Sequence, residues 1–204
     1  MADRETILTP YARLSFPTLV KPREYKKGDG KAKYTATLLF PKPEIVANVR
    51  ESGKPVSPWK DATKHDLTAL RGVVDRFVND QWPNAAKRPK LKLPFKNGDD
   101  EKWDGYPGHI FVRTTSVRLP LLIDAQKNEI SGDDIEKLFY AGAWVRASVS
   151  PFDYNETGNV GVSFGLRALQ FVRNDETFSG KVTADSFDAL PEADIAPDDL
   201  DDLA

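Results

Sequence analysis

The stretch AWVRASVSPFDYNETGNVGVSFGLRALQFVR, residues 143–173, decides the fold. Apolar and polar residues alternate along 143–150 and again along 160–173, and this period of two predicts a pair of strands. The connection, residues 151–159, is rich in asparagine and glycine, which suit tight turns. The segment therefore predicts two strong strands, joined by a turn, that close the folded body of the chain.

The alternation gives each of these two strands an apolar and a polar face. The predicted core positions are Val145, Ala147, Val149, Val162, Phe164, Leu166 and Ala168. The opposite face presents Trp144 and Arg146 on the first strand and Arg167 on the second. The small residues Gly161 and Gly165 would let a base or a backbone approach closely, although an ordinary two-sided sheet packed under a helix has the same pattern.

Several further elements precede these two strands. Strands are predicted at residues 11–20, 33–40, 109–116 and 117–123, and helices at 44–51, 61–81 and 131–140. On the first strand Ala12, Leu14 and Phe16 share the predicted core face, and Pro17 limits the strand to an edge or a bulge. Tyr34 also falls on a core face by strand parity. This order of short strands and intercalated helices favours a mainly β fold, a small closed or half-closed barrel, over a parallel sheet.

Composition excludes several classes of function. The 204 residues include no cysteine, which rules out disulfides, thiolate metal sites and iron–sulfur clusters, and two histidines argue against a multi-histidine metal centre. The N-terminus has no apolar run resembling a signal peptide, and no stretch approaches the ~18 apolar residues of a membrane span. We expect a soluble, cytoplasmic protein with no cofactor, no bound metal and no membrane contact.

The formal net charge of −2 conceals two oppositely charged parts. Residues 1–173 carry 28 Lys and Arg against 21 Asp and Glu, a balance of +7, whereas residues 174–204 carry one Lys against ten acids, a balance of −9. Beyond about residue 178 the apolar content thins and the periodicity is lost, which is typical of disorder. The sequence thus divides into a folded basic domain, residues 1–178, and a disordered acidic tail, residues 179–204.

Two clusters of basic residues stand beside aromatic residues. The first cluster is Lys21, Arg23, Lys26, Lys27, Lys31 and Lys33, and the second is Lys87, Arg88, Lys90, Lys92 and Lys96. Cations along a phosphate path, interleaved with aromatic faces for bases, are what single-stranded nucleic acid binding requires. The candidate stacking residues are Tyr34, Trp103, Tyr106, Phe111 and Trp144, and the strand faces add Arg113, Arg146 and Arg167 as cations. Taken alone, either basic cluster is more often a solvated surface.

The acidic tail has a clear charge pattern. Eight acids and no bases lie between residues 185 and 204. A flexible linker would hold this polyanion near the basic body at an effective concentration on the order of millimolar, where it could occupy a cationic groove until nucleic acid displaces it. The candidate partner-binding segment is Asp198, Asp199, Leu200, Asp201, Asp202 and Leu203. A tail that only improves solubility is the simpler alternative.

Catalysis has no positive support in the sequence. No motif of a catalytic nucleophile or a metalloprotease surrounds His65 or His109. The acids between Asp99 and Asp104 could hold a divalent ion, but such a run is usually a solvated turn. A non-enzymatic single-stranded DNA-binding protein is therefore the leading hypothesis. A duplex-binding architectural protein and a metal-dependent nuclease built on residues 99–104 are the alternatives.

Several segments resemble a known family. Residues 143–154 and 158–172, together with ARLSFP (12–17) and KYTATLLFP (33–41), are similar to a phage family of single-stranded DNA-binding proteins long filed as a domain of unknown function. The stretch GVSFGL, residues 161–166, is the most specific part of the resemblance.

The resemblance covers most of residues 8–173 and carries implications for fold and function. It implies an OB-fold, an antiparallel five-stranded barrel with elaborated loops, that coats single-stranded DNA during phage replication and recombination in the cytoplasm of an infected bacterium. It also implies that the acidic tail regulates binding and recruits replication or recombination proteins. Weaker binding of duplex DNA and a homodimer are left open.

Overall fold

The computed structural model describes residues 5–24, 31–156 and 158–178. The strands are β1 (Ile7–Leu8), β2 (Ala12–Arg23), β3 (Lys33–Pro41), β4 (Phe95–Asn97), β5 (His109–Ser116), β6 (Leu121–Ile123), β7 (Trp144–Glu156) and β8 (Asn159–Arg173). The α-helices are α1 (Thr68–Gln81) and α2 (Asp134–Leu138), and neither of these two is long and apolar enough to cross a membrane. Lys26, Lys27 and the whole tail at 179–204 lie outside the described residues.

Five strands close into a ring in the order β2-β3-β5-β8-β7 and back to β2. Neighbours in the ring are antiparallel except β5 and β8, which pair in parallel through Thr114–Phe164 and Thr115–Gly165. The short strands β1, β4 and β6 extend the sheet at β7, β5 and β8. A closed five-stranded ring confirms the predicted mainly β, OB-like barrel, with one parallel pair where a wholly antiparallel sheet was predicted.

Alternating apolar residues fill the interior of the barrel. The buried cluster includes Leu14, Ala36, Leu38, Phe40, Val112, Val145, Ala147, Val149, Val162, Phe164 and Leu166. Leu70, Val74 and Val78 of α1 join the same cluster, as does Ile135 of α2. Because removing apolar surface from water contributes roughly 25 cal/mol per Å², this single core is the main stabilising element of the domain.

A bulge shifts the predicted alternation within β8. The register of the two strands changes between Ser148 and Val149 of β7, which leaves Arg167 of β8 as the extra residue. Beyond the bulge the side chains exchange faces. Leu169 is therefore buried, whereas Ala168, which alternation placed in the core, is only half-buried.

Several element boundaries also differ from prediction. Because the strands of the β7–β8 hairpin run on to Glu156 and restart at Asn159, most of the predicted loop is a paired ribbon. The long helix predicted from residue 61 is interrupted, since the Asp66 carboxylate accepts a hydrogen bond from the Thr68 N–H and so caps the start of α1. The helices predicted at 44–51 and 131–140 reduce to a 3-10 turn at Pro43–Ile45 and to α2, and the strand at 117–123 reduces to β6.

The β7–β8 ribbon is bound along one edge by the second basic segment. The Lys92 N–H donates to the Val160 carbonyl at 3.0 Å, and the Val162 N–H donates to the Lys92 carbonyl at 2.9 Å. A Cβ added at Gly161 would lie 2.5 Å from the Lys92 carbonyl oxygen and 2.6 Å from the Tyr154 hydroxyl. The close backbone approach expected at Gly161 is therefore made by the protein itself.

Candidate nucleic-acid interface

The outer surface of β2, β3 and β5 is lined with hydroxyl groups and is called the hydroxyl face below. It comprises Ser15, Thr18, Thr35, Thr37, Thr115 and the guanidinium of Arg113, which form two rows across the three strands. These positions alternate with interior residues such as Ala36 and Val112. The Thr18 and Thr35 hydroxyls lie 2.8 Å apart and hydrogen-bond across the strand pair.

Two of the predicted cations lie together on this face. Arg113 is exposed, and its guanidinium carbon stands 5.6 Å from the centre of the Phe111 ring. Lys96 of β4 pairs with Phe111 and is also exposed. Contact with the ring restricts the guanidinium, so Arg113 presents a localised positive charge above a neutral, hydroxyl-rich floor.

Two exposed aromatic residues border the hydroxyl face. Phe16 and Trp103 pack edge to face, with ring centres 5.2 Å apart and ring planes at 81°. Trp103 was a predicted stacking residue, whereas strand parity assigned Phe16 to the core. That assignment is wrong because the β2–β3 register is irregular between Ser15 and Thr18, and the Phe16 backbone has a positive φ of 43° that turns the ring outward. Pro17, which predicted an edge or a bulge, was the available signal.

Three of the predicted stacking residues are buried. Tyr106 and Phe111 form a small cluster with Leu39 outside the barrel, their rings 5.0 Å apart, and Trp144 is fully enclosed. Parity placed Phe111 and Trp144 correctly on the non-core face, but other segments cover that face. A ring with no exposed surface cannot stack on a base, so the expectation that these three are open is wrong. The fifth candidate, Tyr34, is half-buried opposite Ser116.

The cover over Trp144 is a strap formed by residues 174–178. The Trp144 indole N–H donates to the Asp175 carboxylate at 2.6 Å, and both terminal nitrogens of Arg50 donate to the same group at 2.9 and 2.8 Å. Glu176 pairs with Arg50 and Lys54 at 3.3 and 3.2 Å. The strap therefore lies against the barrel through a network of opposite charges.

Arg13 occupies the centre of this network. Its side chain donates to the carbonyls of Gly142 and Glu176, and the Phe178 ring lies 4.3 Å from its guanidinium carbon. Burial, followed by the charge of Arg50, lowers the pKa of Arg13 to about 10, so the group stays charged at neutral pH. Burial alone would raise the pKa of Asp175, but hydrogen bonding to Arg50 and the charge of Arg13 lower it to about 2.

The remaining predicted cations lie elsewhere on the barrel. Arg23 pairs with Lys33 near the end of the β2–β3 hairpin, and Lys21 lies on the same hairpin. Arg146 binds Gln170 at 2.7 Å, and Arg167 binds the Ser150 hydroxyl at 3.1 Å. The second basic segment follows the chain outside β8 and α1; its members are Lys87, Arg88, Lys90 and Lys92. Of the predicted cations, the structure brings only Arg113 and Lys96 to the hydroxyl face among the residues it describes.

The acidic run between α1 and β5 is partly committed to holding a turn. Asp99 accepts hydrogen bonds from the Gly108 N–H and from the Lys42 ammonium, and these interactions lower its pKa. Within 5–24, 31–156 and 158–178 no three His, Asp or Glu side chains are grouped so that they could hold a metal ion. The role seen for Asp99 is to fix the loop that carries Trp103.

Both histidines are buried. His65 contacts the Tyr11 carbonyl and the Ser57 hydroxyl, each at 2.8 Å, and burial lowers its pKa. Burial lowers the pKa of His109 to about 4. Both rings are therefore neutral near pH 7 and act as parts of the packed structure.

The barrel defines an OB-type protein, and comparisons with known proteins agree. The solved structure of the single-stranded DNA-binding protein from bacteriophage Enc34 in complex with ssDNA is similar, with a TM-score of 0.62 at 20% identity over 85% of this chain and 89% of that chain. The crystal structure of gp2.5, a single-stranded DNA-binding protein encoded by bacteriophage T7, is also similar, with a TM-score of 0.50 at 14% identity over 90% and 99% of the two chains. At these identities the likeness establishes the fold alone.

Sequence comparison establishes the family. The model of the Enterobacter phage Enc34 ssDNA-binding protein family matches residues 5–200, and the chain belongs to that family. Protein p50 of Acyrthosiphon pisum secondary endosymbiont phage 1 is 29% identical over 182 residues, which cover 87% of this chain and 90% of that protein. The resemblance found in the sequence is thereby confirmed.

Proposed function

We propose that this chain binds single-stranded DNA across the hydroxyl face and coats it without acting as an enzyme. The observation that carries the proposal is the exposed guanidinium of Arg113 on the hydroxyl face. In OB-folds the outer face of the second and third barrel strands binds oligonucleotides, and β3 and β5 hold those places here. Membership of the Enc34 family, together with the ssDNA complex solved for the Enc34 protein, supports the same function.

The chemistry of the face suits a single strand of any sequence. Arg113 and Lys96 would neutralise phosphates, and the hydroxyl groups would donate hydrogen bonds to phosphate and sugar oxygens. Trp103 would offer a ring on which any base can stack, worth ~1–3 kcal/mol for each base. The strand would reach further cations at the hairpin end, where Lys21, Arg23, Lys31 and Lys33 lie on strands that border the face.

The acidic tail would compete with DNA for this surface. The chain leaves the described part at Phe178, whose ring packs against Tyr106 and Phe111 beside the hydroxyl face. A tether starting there would hold residues 179–204, which carry eight acids and one Lys, within reach of Arg113 at a concentration on the order of millimolar. When DNA displaces the tail, its last acidic residues would become available to replication or recombination proteins in the infected cell.

The test compares the full chain with a variant truncated after Ala184. Fluorescence anisotropy with a labelled oligo-dT and with a duplex of equal length should give tighter binding of oligo-dT than of duplex by the full chain. The truncated variant should bind both ligands more tightly. Unchanged affinity after truncation would refute tail competition, and equal affinity for the two ligands would favour a duplex-binding protein.

The nuclease alternative is tested with the same oligonucleotides. Incubation of the full chain with labelled oligo-dT and Mg²⁺ should leave the strand intact. Degradation that is lost in an Asp99→Asn variant would overturn the non-enzymatic proposal.

A further inference from the structure

Phe16 holds a backbone conformation that its side chain disfavours. Its φ of 43° lies in the left-handed region, where the Cβ of an L-residue crowds the backbone. Within the described ranges the other non-glycine residue with positive φ is Lys127. Strain of this kind persists only where the surrounding structure enforces it, and it clusters at binding sites.

Burial does not compensate for this strain. The Phe16 side chain remains 52% exposed, and Trp103, against which it packs, remains 53% exposed. Large aromatic residues usually bury most of their surface in a soluble domain. The fold therefore holds two adjacent aromatic rings in water, on a strained backbone, at the border of the hydroxyl face.

The two rings are held in a fixed arrangement from below. Phe16 rests on Tyr106 with ring centres 6.3 Å apart, and Tyr106 is itself buried against Phe111 at 5.0 Å. Trp103 is fixed by a tight turn in which the Tyr106 N–H donates to the Trp103 carbonyl at 3.1 Å and Gly105 takes a φ of 79°. The buried rings thus serve as a support for the exposed pair.

We propose that Phe16 and Trp103 form a two-walled clamp for one nucleobase. The proposal rests on the proposed function, because it assumes that single-stranded nucleic acid is the ligand. The two ring planes stand at 81°, so a flat base stacked on one ring meets the edge or face of the other. Phe16 is the new element, since β2 would direct it inward without the bulge, and the strain is the cost of displaying it.

The decisive variant is Phe16→Gly. Glycine tolerates positive φ, so the change relieves strain while removing one wall of the clamp. We expect the thermal midpoint to be unchanged or higher and the Kd for a labelled oligo-dT to rise about tenfold. Quenching of Trp103 fluorescence on binding should also fall, and a Trp103→Phe variant identifies the part of the signal that belongs to this residue.

Lys127→Gly is the matched control. It relieves the other positive φ without altering the aromatic pair, so it should raise or preserve the thermal midpoint and leave the Kd for oligo-dT within about twofold. If Phe16→Gly is folded and binds oligo-dT as tightly as the unmodified chain, the clamp is wrong while the proposed function stands. If the unmodified chain itself does not bind oligo-dT, the proposed function fails first.

Discussion

The indole N–H of Trp144 on β7 donates a hydrogen bond of 2.6 Å to the carboxylate of Asp175, one residue beyond the start of the strap. Trp59 and His65 enclose the same indole, with ring centres 5.0 and 5.4 Å away. The first acid of the negatively charged C-terminal region is therefore part of the folded domain. Trp144 serves to hold it and offers no surface to a base.

Replacing Asp175 should destabilise the domain. Asp175→Ala removes the acceptor of the Trp144 N–H and leaves Arg13 and Arg50 without their shared carboxylate, which should lower the free energy of unfolding by about 2–4 kcal/mol. Chemical denaturation measures the change. The control is Asp153→Ala on the exposed part of the ribbon, which should change stability by no more than about 0.5 kcal/mol. Equal effects of the two substitutions would contradict the structural role of the strap.

A second pair of variants tests the contact between the ribbon and the basic segment. Gly161→Ala would place a methyl group 2.5 Å from the Lys92 carbonyl oxygen, and we expect a loss of about 1–3 kcal/mol in stability. Gly165→Ala is the matched control, because its Cβ would come no closer than 3.5 Å to the Ser150 hydroxyl. If both variants unfold at the same denaturant concentration as the unmodified chain, Lys92 is not paired with the ribbon in solution.

Stability should decrease as the pH falls below neutrality. The folded-state pKa of His109 is about 4 and that of His65 is also lowered, in both cases by burial, whereas an unfolded histidine titrates near ~6.5. The unfolded chain therefore binds more protons between these values, and each histidine removes up to ~1.4 kcal/mol for each pH unit. Asp175, with a pKa of about 2, stays ionised in this window.

The measurement is a series of denaturant titrations from pH 7.5 to 5. A His109→Gln variant should show a shallower decrease than the unmodified chain across the same range. Stability that stays constant or increases on acidification would show that the histidines are not buried in the neutral form.

The alternation of apolar residues predicted the barrel strands well, because each strand has one face in a single core. Strand parity failed at Phe16 and Ala168, where a bulge exchanges the two faces. A bulge depends on how two strands pair, and a local pattern does not record that pairing. The site was harder to predict for a related reason, since Trp144 and Phe111 do lie on the outer face but are covered by segments distant in the chain. Charge alone also overestimated the site, because many of the lysines and arginines lie on other sides of the barrel.

The most direct test of the central claim is the salt dependence of oligo-dT binding by the full chain and by Arg113→Gln. The logarithm of the association constant should fall linearly with the logarithm of salt concentration, with a slope of about −0.7 for each phosphate contacted. Arg113→Gln should weaken binding and reduce the magnitude of that slope by about 0.7, whereas Arg76→Gln, on the exposed side of α1, should leave both unchanged. A flat salt response, or equal slopes for the unmodified chain and Arg113→Gln, would contradict DNA binding at the hydroxyl face.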